Sequence, residues 1–72
     1  MAHEDDIQMV KRHVRLGRKH VSEQQDRIAE LDRLELPSET ARDFLELLEQ
    51  MQELHKKHLS RLLAKTSPKN AA

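Results

Sequence analysis

The stretch LELPSETA, residues 34–41, interrupts a chain with helical periodicity on both sides. Pro37 disfavours helical geometry at Leu36, the residue before it. Ser38 is a favoured residue at the start of a helix, and the acidic Glu39 suits the positive end of the helix dipole. The sequence therefore predicts two helices joined by a turn over about residues 35–38.

The segment before the break has the pattern of one long amphipathic helix, which we predict over about residues 4–34. Its stripe residues alternate spacings of three and four for more than three heptads, as in a helix that packs against another helix. Two members, Gly17 and Gln24, are unusual because they are not apolar. The stripe consists of Ile7, Val10, Val14, Gly17, Val21, Gln24, Ile28 and Leu31.

The second helix is predicted over about residues 38–65, followed by a frayed tail at 66–72. Its apolar residues cover roughly half of the circumference, more than the ~100° stripe that one neighbouring helix covers. They are Phe44, Leu45, Leu47, Leu48, Met51, Leu54, Leu59, Leu62 and Leu63. The fold class predicted is all-α, with residues 1–72 forming a single antiparallel two-helix hairpin that dimerises into a four-helix bundle.

The charges lie in blocks although the net charge is zero. Residues 11–20 carry five basic side chains and no acid, residues 21–54 carry ten acids against three arginines, and residues 55–72 are basic again. A hairpin folded near residue 36 is therefore acidic at its loop and basic at the opposite end, where the two chain termini lie. We call the latter the open end. This distribution predicts a homodimer with its loops at opposite ends, because the basic open end of each hairpin then lies beside the acidic loop end of the other.

Composition limits the class of protein. A chain of 72 residues rarely buries enough surface to be stable without disulfides, metal or oligomerisation, and this one has no cysteine. It has no apolar run that could span a bilayer and no secretory signal pattern at the acidic N-terminus. We expect a cytoplasmic protein without a membrane partner.

The two helices also predict a polar layer within the apolar seam. In a hairpin folded near residue 36, Gly17 lies opposite residues near His55 and His58. The predicted layer, and with it the candidate binding residues, consists of His20, Gln24, His55, His58 and Arg61. Three interpretations are open: a structural layer that fixes register, an anion site favoured by the basic surroundings, and a metal site that Glu23 or Glu53 would complete.

Catalysis has little support in the sequence. HVRLG, residues 13–17, resembles the motif of histidine phosphotransfer domains, but Arg15 and Leu16 depart from it at two positions. We predict no enzyme, no catalytic residue, no dedicated set of metal ligands and no cofactor. Nucleic-acid binding by the basic open end is an alternative, although the basic segments contain no aromatic residue that would stack on bases.

Residues 18–63 resemble a group of short bacterial proteins of no known activity. The shared pattern is His-x3-Gln on the first helix, here His20 and Gln24, and His-x2-His-x2-Arg on the second, here His55, His58 and Arg61. The resemblance implies a helical hairpin and supplies no activity. The function predicted is a homodimeric interaction or scaffold protein, with another protein as a further partner.

Overall fold

Two helices packed side by side form the hairpin, in a computed structural model that describes residues 4–66. Helix α1 spans Glu4–Arg33 and helix α2 spans Glu39–Thr66. The all-α class and the packing of two helices against each other are confirmed. Most of the predicted tail lies beyond Thr66, outside the described residues. The chain measures 57 × 15 × 15 Å, so the hairpin is long and thin.

Helix α1 ends where backbone amides of the loop donate hydrogen bonds to carbonyls in the last turn of the helix. The amide of Leu36 donates to the carbonyl of Leu31 at 2.9 Å, and the amide of Glu35 donates to that of Asp32 at 3.0 Å. This pattern is the Schellman motif, which requires a left-handed residue just past the helix. Glu35 occupies that position with φ of 56°. Pro37 then prevents further helix until α2 begins.

Replacing Glu35 with glycine is expected to stabilise the hairpin by up to about 1 kcal/mol. A left-handed conformation costs a residue with a Cβ atom about 1–2 kcal/mol, and glycine avoids that cost. Glu35→Ala removes the same side chain but keeps the Cβ atom, so it serves as the matched control. Urea denaturation should rank glycine above alanine, and the reverse order would show that residue 35 is not left-handed in solution.

Arg42 connects the two helices across the turn. Its Nε donates to the hydroxyl of Ser38 at 3.0 Å, and its Nη2 donates to the carboxylate of Asp32. Ser38 is the N-cap residue of α2, and its carbonyl accepts a hydrogen bond from the amide of Arg42 at 2.9 Å. These groups are largely exposed, so each ion pair adds only about 0–1 kcal/mol. The contacts fix where α2 begins beside the end of α1.

The buried apolar core of the described residues comes from α1 alone. Helix α2 contributes half-buried leucines and one buried residue, Gln52. The remaining apolar side chains of α2 extend over a surface that α1 does not cover. The core residues are Ile7, Val10, Val14 and Ile28.

Candidate functional site

Helix α2 carries two heptad seams that lie one residue apart. The seam that contacts α1 is half-buried to buried and consists of Ala41, Leu45, Leu48, Gln52, His55, Leu59 and Leu62. The second, which we call the open seam, consists of Phe44, Leu47, Met51, Leu54 and His58. Its four apolar members are 50–64% exposed. Two such seams on one helix are typical of a helix that packs against neighbours on two sides.

Helix α1 adds a parallel stripe of exposed side chains next to the open seam. This stripe contains Met9, His13, Leu16 and His20, again at alternating spacings of four and three. Met9 and Leu16 are 45% and 44% exposed. The open seam and this stripe together form one surface of the hairpin, which we call the apolar face.

A groove of about 260 Å³ lies at the centre of the apolar face, between the helices. It is lined by His13, Leu16, Gly17 and His20 of α1 and by Leu48, Met51, Gln52 and His55 of α2. We call it the central groove. A second depression continues from it toward the loop, between His20 and Phe44.

The opposite side of the hairpin is polar. The depression there is lined mostly by charged side chains, including Arg18, Glu49, Glu53 and Lys56. Lys56 and Glu53 form an ion pair at 2.9 Å. The hairpin is therefore two-sided, and its apolar surface is concentrated on one face.

Gln52 and Gly17 set how the two helices align. The side-chain amide of Gln52 donates to the carbonyl of Val14 at 2.8 Å in a buried hydrogen bond. A Cβ atom added to Gly17 would lie 1.9 Å from Oε1 of Gln52, so only glycine leaves room for this contact. The sequence prediction placed residues near His55 and His58 opposite Gly17, and Gln52, one turn before His55, occupies that position.

The alignment differs from the prediction because α2 starts alongside α1. An even fold about residue 36 places residue 52 level with residue 20. The observed contacts instead join Gln52 to Val14 and Gly17. Helix α2 is therefore displaced toward the open end by about one turn.

His13 of α1 and His55 of α2 contact each other across the central groove. The ring centres of His13 and His55 are 5.5 Å apart, and the rings are tilted by 42°. Nδ1 of His55 is buried and has no hydrogen-bond partner. His13 is exposed. His13 lies one turn before Gly17 but is absent from the predicted polar layer.

The structure brings together only part of the predicted layer. His20 and His55 both line the central groove. Gln24 is buried nearer the loop, where its amide donates to the carbonyl of Ala41 at 2.9 Å. His58 and Arg61 are exposed on α2, and the central groove does not include them. Gln24 was predicted in one layer with the histidines, and it instead ties α1 to the first turn of α2.

Comparisons of the chain with protein-family models, with curated proteins and with solved structures find no match. Within residues 4–66, neither helix is long and apolar enough to cross a membrane. The same residues contain no group of three or more histidine, aspartate or glutamate side chains that could hold a metal within one chain.

Proposed function

We propose that the protein is a small cytoplasmic scaffold without enzymatic activity that works as a homodimer. Two hairpins pack their apolar faces together as a four-helix bundle, with the loops at opposite ends. The observation that carries this proposal is the open seam of α2. Its side chains Phe44, Leu47, Met51 and Leu54 keep the spacing of a packing seam, yet α1 leaves them at least half exposed.

The periodicity of the open seam favours another helix as its partner. Apolar residues at alternating spacings of three and four match the holes between residues on a facing helix. Exposed apolar patches of this kind on a soluble protein mark interaction sites. Because α2 carries both seams, a second hairpin would give it neighbours on two sides, as each helix of a four-helix bundle has.

The exposed area is large enough for a stable dimer. The chain exposes 5923 Å², whereas a compact monomer of 8.5 kDa exposes about 4,700 Å². The excess is about 1,200 Å² for each chain, and specific protein interfaces bury about 600–1,000 Å² on each partner. Because the hairpin is long and thin, it offers enough surface for an interface of this size.

Charge around the apolar face favours a second copy with its loop at the opposite end. At 100° per residue, Glu23, Glu30 and Asp43 lie on the rim of the loop half of the face. Basic residues occupy the rim of the open half at Arg12 and Arg61, whereas Lys19 and Arg27 lie on the loop side of Leu16. Opposite loop positions align acidic with basic rims, whereas loops at the same end would align like charges. Each exposed pair adds only about 0–1 kcal/mol, but their sum decides orientation.

Light scattering tests the proposal most directly. At micromolar concentration we expect about twice the 8.5 kDa mass of one chain. A chain that stays monomeric at 100 µM, with full helicity by circular dichroism, would contradict the dimer.

A distance measurement tests the orientation separately. The natural chain has no cysteine, so Glu39→Cys introduces a single spin-label site near the loop. Loops at opposite ends place the two labels about 40 Å apart, from the 1.5 Å rise of a 28-residue helix. A distance below about 20 Å would show loops at the same end and would leave the dimer itself intact.

A further inference from the structure

We propose that the dimer binds Zn²⁺, or another transition metal that prefers imidazole, at two equivalent sites. Each site consists of His13 and His55 of one protomer and His20 of the partner subunit. This inference rests on the proposed dimer. One chain supplies only two histidines to each site, fewer than the three or four protein ligands that zinc takes.

The ring separation of His13 and His55 is close to that of two histidines bound to one zinc ion. A Zn–N bond is about 2.0–2.1 Å long, and the ring centre lies about 1.1 Å beyond the nitrogen. At a tetrahedral angle the two ring centres then fall about 5.2 Å apart. The observed separation is 5.5 Å, so little movement of the helices is required.

His55 also has an unsatisfied atom at this place. Its Nδ1 is buried among the described residues without a hydrogen-bond partner, and such a group destabilises the fold unless a ligand satisfies it. A metal ion bound to Nδ1 would do so after the His55 ring turns about its Cβ–Cγ bond to present this buried atom to the apolar face. His13 is exposed, so its ring can turn about the side-chain bonds to admit the ion.

The third ligand follows from the position of the central groove along the hairpin. Leu16 and Met51 lie near the middle of α1 and α2, so a two-fold axis between loops at opposite ends passes close to them. His13 and His55 lie three and four residues from these positions toward the open end, about 4.5 and 6 Å at 1.5 Å per residue. His20 lies four residues from Leu16 toward the loop, about 6 Å.

The two-fold axis exchanges the loop and open ends, so the partner's His20 comes level with His13 and His55 to within about 1.5 Å. Three imidazoles and one water molecule form a set of ligands that zinc adopts. The nearby cations Arg12 and Lys19 are exposed, so water and salt screen their repulsion of the ion. The same three histidines within one hairpin do not form such a set.

Zinc titration of the untagged full-length chain by calorimetry at pH 7.5 tests the site. We expect one Zn²⁺ per chain, that is two per dimer. His13→Ala and His20→Ala should each weaken binding at least 10-fold, because each removes one ligand. Ser60→Ala is the control, since Ser60 is exposed on α2 and points away from the open seam. It should leave the zinc affinity unchanged.

Three results would overturn the proposed metal site, and they differ in whether the proposed dimer is also overturned. A dimer that shows no zinc binding up to 100 µM removes the metal site and leaves the proposed function intact. Zinc binding that His20→Ala does not weaken shows that the partner supplies no ligand. A wild-type chain that is monomeric with and without zinc overturns the metal site together with the dimer.

Discussion

Replacing Gly17 with alanine is expected to destabilise the hairpin by about 1–2 kcal/mol, although alanine is the better helix former. At an open helical position this change would stabilise by about 1 kcal/mol. Here the new Cβ atom would collide with the side chain of Gln52, which is buried and hydrogen-bonded to Val14. Displacing Gln52 costs that hydrogen bond, about 1 kcal/mol, and about 1–2 kcal/mol of packing, which together exceed the gain in helix propensity.

A second variant separates the collision from the helix propensity. In a Gln52→Ala background the space beside Gly17 is free, so Gly17→Ala should now stabilise the hairpin by about 1 kcal/mol. The coupling between the two sites is then about 2–3 kcal/mol, measured by urea denaturation of all four proteins at one concentration. Equal effects of Gly17→Ala in both backgrounds would show that Gln52 does not contact Gly17 in solution.

Replacing Met51 with glutamate is expected to weaken the dimer at least about 1,000-fold, equivalent to about 4 kcal/mol. Met51 lies at the centre of the open seam, so the proposed two-fold axis brings the two glutamates close together. Removing each carboxylate from water costs several kcal/mol, and their like charges repel. Met51 is 53% exposed in the hairpin, so the hairpin itself should remain folded.

Ser60→Glu is the control for this change. It adds the same charge to α2 at an exposed position that points away from the open seam, at 100° per residue. Sedimentation equilibrium should find Met51→Glu monomeric and Ser60→Glu dimeric, with the same helicity by circular dichroism. If both variants remain dimeric, the open seam is not the interface.

The helices and the turn could be predicted because their determinants are local. Pro37 and Ser38 fix the break between the helices, and the stripe from Ile7 to Leu31 fixes the face of α1. The width of the apolar surface on α2 also indicates that one partner cannot cover it. None of these inferences depends on how far one helix is displaced along the other.

The alignment of the helices could not be predicted, and the layer of histidines depended on it. A heptad pattern defines which residues face the partner but leaves the axial position open, because adjacent turns present similar apolar residues. Displacement of α2 by about a turn brings Gln52 opposite Gly17 and His55 opposite His13. Gln24 then bonds to Ala41 near the loop. The sequence feature that could have indicated the alignment was Gln52, a polar residue in the seam of α2 that contacts α1.

Gly17 is the only glycine in the chain, so Gln52 has one place on α1 where no Cβ atom opposes it. Sliding α2 by a turn would bring Gln52 against a bulkier residue and separate it from the carbonyl of Val14. Shear, the small sliding that lets many packed helices adjust, would therefore cost this hairpin the Gln52 hydrogen bond. The hairpin should bind as a rigid body, with nearly identical backbones in the free and bound states.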